Sequence, residues 1–427
     1  MLLHKDRVAH LLRRTGFTAS KAQVDALLPS TIPQIVDSLL NAAVVTPTPP
    51  VIENEDQYYN VRRRALPKWW LKFMATVSKP IQEKMVLFWH GHLTSAVHKV
   101  YIPEYMQKQN TLFRKHAMGK FRTLAFDISL DPAMMVWLDN NYNYKLSPNE
   151  NYAREFMELF TLGLGNYTEK DVKEVARAFT GWSIDTTTLT AVHNLATYDG
   201  GQRTIFGQTA SFNMFDTVNL IVRQPACAPF ITTKLWEYFA YKNPPASVIQ
   251  SLASTFASSD YDVKTLLRAM FVHEEFYADR AYRVLIKSPA EYFLWLHSTF
   301  PNAPWPSENG VIDTMISMGQ LPFDPPHVAG WADGPAWLNS GLMFARYNYA
   351  ESFVRTLTST DLPQLTLTLP SAAVQPMMER LGLTDLSSTT SKQISDYLAA
   401  QDASTPPEQV IRGTLHLLLI CPEAQTK

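Results

Sequence analysis

The sequence predicts a mainly α protein: one large helical array with a single small β insertion. Three observations carry that expectation. Apolar residues recur at helical spacing along most of the 427 residues. Several of these stretches open on Ser or Thr with an acid three residues later, as at Thr168 with Asp171 and Ser288 with Glu291, a helix-start pattern. Only residues 183–213 change character, with Thr, Val and Ile around Gly200-Gly201, which reads as a β-hairpin or small sheet.

Residues 5–44 divide into two or three short helices, broken at Gly16 and restarted at Ser20 and Thr31. Residues 45–52, VTPTPPVI, form a Pro-rich linker or extended strap. No domain boundary is placed there, because about 50 residues make a poor domain alone; the expectation is one domain over 1–427. From 57 to 130 the pattern is helical. Trp69, Trp70, Phe73 and Met74 form an aromatic cluster, and Pro80 begins a helix that runs through Phe88 and Trp89 into His90-Gly91-His92. Residues 104–126 read as one further helix. Asp139, Asn140, Asn141 and Asn143 suit either turn chemistry or oxygen donors for a hard cation. Later helices are expected at 216–242, 246–257, 261–273, 288–299, 336–356, 391–398 and 407–420. Residues 319–335, GQLPFDPPHVAGWADGP, form a Pro/Gly/Trp-rich loop, and 357–372 are irregular.

Composition removes several function classes. Hydrophobic residues at 46% and aromatics at 12% supply a core, while 18% charged residues and a net charge of −1 argue against nucleic acid or an acidic membrane surface. The short basic run Arg62–Arg64 reads as a solvated helix face, offset by Glu53, Glu55 and Asp56. Cys227 and Cys421 are the only cysteines and have no CxxC partner, so no thiolate zinc site is encoded; one disulfide between them stays open. The start is a basic amphipathic helix rather than a secretion signal, and no run of about 18 apolar residues exists. The expectation is a soluble protein without a membrane span, cytoplasmic if Met1 is the native start.

The chemistry concentrates on Ser147 to Gly163, SPNENYAREFMELFTLG. Ser147 is the expected N-cap, Pro148 the first helical position, Glu150 a capping-box acid and Gly163 the stop. Apolar residues cover more than half of the circumference, leaving a polar stripe of Asn151, Arg154, Glu155 and Glu158. In one reading this is a solvated face with an Arg154–Glu158 ion pair. In the other the helix is deep and the stripe faces a cleft, where Glu155 and Glu158 do acid/base work or share a cation and Arg154 steadies a carboxylate or grips an anionic substrate. His90 and His92 are the nearest imidazoles. On a helix, i and i+2 side chains point about 200° apart and cannot share a metal, so a divalent metal held by His90, His92, Glu155 and Glu158 requires Gly91 to end the helix. The plain alternative is two histidines satisfied at a helix end. His98 and His116 read as surface or helix histidines. Trp331, Asp333 and His327 in the 319–335 loop could wall a pocket and stack on a sugar ring, or form a rigid strap over helix ends.

The segments FWHGHLTS at 88–95, NENYAREFMELFTLG at 149–163, YTEKDVKEVARAFTGW at 167–182, IKSPAEYF at 286–293 and MGQLPFDPPHVAGW at 318–331 resemble the uncharacterised bacterial family known as domain of unknown function 1800 (DUF1800). They run along most of the chain in family order. The resemblance implies a mostly helical single domain and carries no activity. It also implies relatives that are often exported and encoded beside a protein of the alkaline-phosphatase-like class, a partner class for this chain. One departure stands out: where the family tends to His-Asp-x-Gly, this chain has Tyr198-Asp199-Gly200-Gly201. His193 lies five residues earlier, and strand alternation would put it on the opposite face. Two functions follow as expectations. One is an enzyme with a His/carboxylate site between 88–95 and 149–163; the other is a non-catalytic scaffold that binds a small molecule, glycan or partner.

Overall fold

The computed structural model describes residues 2–50 and 64–427. Helix starts follow local chemistry. At Ser20, Thr31, Thr168, Asn213 and Ser288 the side chain and the residue three later satisfy each other's backbone donors, which removes otherwise orphaned N–H groups at the helix end. The architecture is mainly α, as expected. The β insertion consists of two separate antiparallel hairpins, Trp182–Asp185 with Thr190–His193 and Arg203–Ile205 with Gln208–Ala210. The second turns on Phe206-Gly207, both with positive φ (47° and 76°), as a two-residue I′ turn requires. Gly200-Gly201 is therefore not a hairpin tip; it joins the hairpins, with the Gly201 N–H donated to Asp199 Oδ1 at 2.9 Å.

Several boundaries move for identifiable reasons. The expected helix 104–126 is two, Pro103–His116 and Phe121–Ser129, parted by a turn at Gly119. The 216–242 helix is also two, Met214–Val222 and Cys227–Phe239, divided beside Pro225. Glu308–Met318 and Val374–Leu381 are helices that the apolar pattern did not announce. Both cysteines are buried and free. Most of the Arg62–Arg64 run, with Glu53, Glu55 and Asp56, falls outside the described residues. Among the described residues no helix is long and apolar enough to cross a membrane.

The 147–163 stretch departs from expectation at its start. Its helix begins at Asn151, and neither Ser147 nor Glu150 caps it. Amides do the work instead: Asn143 Oδ1 accepts the Asn149 N–H and Asn149 Oδ1 accepts the Asn151 N–H, each at 2.9 Å. After one α turn, Asn151–Glu155, the helix widens into a π segment, Phe156–Thr161. The Thr161 hydroxyl donates to the Phe156 carbonyl at 2.6 Å, and Gly163, at φ +80°, ends the run as expected. Isolated π turns recur at functional sites.

A continuous apolar core contains residues from Val8 to Ala424, with Trp70, Trp89 and Trp236 fully enclosed. Two carboxylates inside it gather basic partners, because an unpaired buried ion is costly. Glu83 takes Arg114 at 2.6 and 2.8 Å and the Trp70 indole N–H at 2.8 Å. Glu291 caps its own helix through Oε2 and receives the ammonium groups of Lys84 and Lys427 on Oε1.

Candidate functional site

The site is built by zipping a strap, residues 319–333, onto the end of helix Ile81–His92 and the turn after it. The Phe323 N–H donates to His90 Nε2 at 2.8 Å, and the Phe323 carbonyl accepts the Val97 N–H at 2.8 Å. The Thr94 hydroxyl donates to the Val328 carbonyl. Asp324 Oδ1 accepts the backbone N–H and Nδ1 of His98, at 3.2 and 2.7 Å. Gly330, at φ +85°, brings the strap so close that a Cβ there would lie 2.5 Å from the Gly91 carbonyl oxygen; only glycine fits both the turn and the approach.

This arrangement assigns the two histidines different tasks. The helix continues through Gly91 to His92, so the rings diverge. His90 is enclosed by Trp70, Phe323 and Trp331, each with ring centroids 5.3–5.4 Å away. Burial lowers its pKa to about 3, which keeps it neutral and able to accept the Phe323 N–H. His92 stacks on Phe88, 5.6 Å between centroids and 9° between planes. Its Nε2–H donates to the Phe160 carbonyl at 3.0 Å. A carbonyl can only accept, so Nε2 carries the proton and Nδ1 is the bare, accepting nitrogen. Burial, aided by the nearby Lys234 charge, lowers the His92 pKa to about 4 against the opposing pull of the Phe160 bond. Among the described residues nothing occupies Nδ1.

Beside this ring lies a cleft of about 240 Å³. Its polar wall comes from helix Cys227–Phe239 and the residues just beyond it, with Lys234, Glu237 and Lys242. Its aromatic wall comes from Phe88, Trp331 and Trp337. Leu159 of the π segment closes one side and Ser288 another. Lys242 bridges Glu237 at 3.1 Å and Asp333 at 2.5 Å, tying the strap to the helix end. Larger hollows of about 490, 710 and 430 Å³ are not lined by a histidine; Asp324 in the first is committed to His98, and the last shares Lys234 and Glu237 with this cleft. Four of the five segments quoted above therefore contribute to this one cleft: 88–95, 149–163, 286–293 and 318–331.

The stripe Asn151, Arg154, Glu155 and Glu158 is half-buried and outside this lining. Arg154 does not pair with Glu158. It makes a fork to Glu169 at 2.7 and 2.8 Å and reaches Glu150 at 3.3 Å. Glu158 instead accepts the Tyr167 hydroxyl at 2.5 Å, and Asn151 donates to Asp139 at 3.2 Å. Burial, with Glu158 second, raises the Glu155 pKa while Arg154 opposes it. The expected ligand set of His90, His92, Glu155 and Glu158 is not gathered: the rings diverge along a continuous helix, and among the described residues no three His, Cys, Asp or Glu side chains group as a metal site. Trp331 and Asp333 line the cleft, whereas His327 is exposed and outside it. His116, expected to be ordinary, holds Asp127 at 2.7 Å. His193 and Tyr198 are not on opposite faces: their rings pack edge to face at 4.8 Å, because Tyr198 lies past the strand's end. Lys234, Glu237 and Lys242 escaped the sequence reading. Their spacing, with Glu237 three residues after Lys234 and five before Lys242, resembles any solvated helix end.

A family model described as "Protein of unknown function (DUF1800)" matches residues 10–426. No curated protein and no solved structure matches the chain.

Proposed function

The chain belongs to the DUF1800 family, and we propose that its cleft binds a small hydroxylated ring, a carbohydrate-like ligand, and performs acid–base hydrolysis on it. One convergence supports this reading: His92, Glu237, Trp331 and Trp337 line the same hollow, and the His92 Nε2 proton is already spent on the Phe160 carbonyl. Indole faces stack on the apolar face of a sugar ring, while a few polar groups fix its orientation. At about 240 Å³ the cleft is smaller than the roughly 300–1,000 Å³ of drug-sized sites, which favours a ligand of one or two rings. Neutral His92 accepts a hydrogen bond from a ligand hydroxyl. Glu237 is the general base that takes a proton from water as the water oxygen bonds to the anomeric carbon; the glycosidic C–O bond breaks, and the adjacent Lys242 ammonium gives a proton to the departing hydroxyl. In this reading Asn151, Arg154, Glu155 and Glu158 brace the π segment from outside rather than touch substrate.

The test pairs ligand-observed NMR against mono- and disaccharides with turnover of the sugars that bind. Trp331→Ala is expected to weaken binding about tenfold, the equivalent of about 1.4 kcal/mol of stacking. Glu237→Gln is expected to retain binding and lose turnover. Binding without turnover in the unmodified chain would favour the non-catalytic module instead. Absence of sugar binding, or equal binding by the Trp331 variant, would overturn both.

A further inference from the structure

Away from the cleft, the first helix, the 283–291 segment and the last residues enclose a second polar centre. Six basic side chains gather there, Arg13, Arg14, Lys84, Arg283, Lys287 and Lys427, and they share two carboxylates. Asp385 is committed to Arg283, which also donates to the carbonyls of Gly382 and Glu423, each at 3.0 Å. Glu291 is committed to Lys84 and Lys427. Lys287 has only the carbonyls of Ala424 and Thr426, each at 2.6 Å, as acceptors, and burial, with the Arg283 and Arg13 charges next, lowers its pKa well below the ordinary lysine value. Arg13 has less. It is 9% exposed, lies over the Tyr282 ring at 5.0 Å, and its buried Nε and Nη2 have no hydrogen-bond partner among the described residues. Burial lowers the Arg13 pKa, with the Arg283 charge as the next cause, while Tyr282 and the charge of Asp385 oppose the drop.

A guanidinium in that condition is far outside the usual rule that buried charges are paired and buried donors satisfied. Arg13, Thr18, Arg283, Lys287 and Lys427 line one small cavity, closed on its apolar side by Phe17 and Trp295. No acid lines it. Its volume is about 20 Å³, against the roughly 10–15 Å³ needed for one water. That is room for one small anion.

We propose that this cavity is a structural halide site, occupied by chloride held by the free N–H groups of Arg13 and the ammonium of Lys287. The ion supplies the missing negative charge and the missing acceptor together. It thereby fastens the first helix to the 283–291 segment and to the last residues of the sequence. Site and role are independent of the carbohydrate reading of the cleft.

The experiment compares thermal unfolding of the full chain in sodium chloride and in sodium gluconate at equal ionic strength, about 0.15 M. Chloride at ten times its dissociation constant raises the folded-to-unfolded ratio about 11-fold. A saturable rise in midpoint with chloride is therefore expected. Arg13→Met, which keeps the stem but removes the donors, is expected to abolish that rise. Equal midpoints in the two salts, or an undiminished chloride effect in the variant, would overturn the site. If the variant does not fold, crystals of the unmodified chain grown in bromide decide. An anomalous peak within hydrogen-bond reach of Arg13 and Lys287 supports the proposal, and no peak there refutes it.

Discussion

Gly330→Ala is the sharpest perturbation of the cleft, because it acts on the backbone that holds the strap down. Two costs are separable. Residue 330 sits at φ +85°, where an L side chain costs about 1–2 kcal/mol. The new Cβ would also meet the Gly91 carbonyl oxygen at 2.5 Å. Backbone, not a flexible side-chain tip, must then move, and such overpacking costs about 1–3 kcal/mol. The sum is about 2–5 kcal/mol, unless the strap lifts and exchanges that strain for its hydrogen bonds to Thr94, Val97 and His90, each worth about 1 kcal/mol. Gly207→Ala is the control: its φ is +76°, yet a Cβ there meets nothing within 4 Å, so it reports the backbone cost alone. Urea unfolding measures the total. Fluorine NMR of 5-fluorotryptophan protein, with Trp331 assigned by Trp331→Phe, reports lifting of the strap. Gly330→Ala is expected to lose clearly more stability than Gly207→Ala, or to shift the Trp331 resonance toward its exposed position. A variant matching the control in both readouts would refute the close approach.

Three further outcomes follow. Glu291→Gln leaves the ammonium groups of Lys84 and Lys427 buried without their carboxylate, so urea unfolding should show a loss of about 3–5 kcal/mol; a loss near that of a surface substitution would contradict the buried triad. His90 and His297 both have folded pKa values lowered to about 3 by burial, below about 6.5 in the unfolded chain. The unfolded state therefore binds more protons in that window, and stability is present above about pH 6.5 and falls as pH drops toward 3. Each ring contributes about 1.4 kcal/mol per pH unit, and His90→Gln, which keeps an acceptor for the Phe323 N–H, should reduce the slope by one proton. Arg154→Ala and Glu158→Gln should leave ligand binding unchanged, since the Arg154 pairs are partly exposed and lie outside the cleft; loss of binding in either would return the stripe to the site.

The parts of this fold that were legible are those decided locally. Thr168 with Asp171 and Ser288 with Glu291 read as helix starts because capping involves residues three apart. Gly163 read as a stop because its positive φ belongs to glycine. The site was legible only in outline, as a meeting of residues 88–95 with 149–163. What joins them is His92, bonded to the carbonyl of Phe160 and packed edge to face on its ring near the end of a π segment, and apolar periodicity does not distinguish π from α over one turn. The carboxylate in the cleft, Glu237, comes from a distant helix whose charges look solvated in sequence. Glu291 is the clearest case of half a reading: its capping role is local, whereas the two lysines on its other oxygen lie 207 and 136 residues away.

Ligand recognition in the cleft turns on one nitrogen, Nδ1 of His92. Imidazole ¹⁵N NMR of His92, assigned by His92→Gln, tests it directly. A neutral ring protonated on Nε2 and bare on Nδ1 is predicted from pH 8 down to about pH 5, consistent with a pKa near 4. The Nδ1 resonance is predicted to move when a bound sugar donates to it. A ring that gains its second proton near pH 6.5, or that carries its proton on Nδ1, would contradict the site as described.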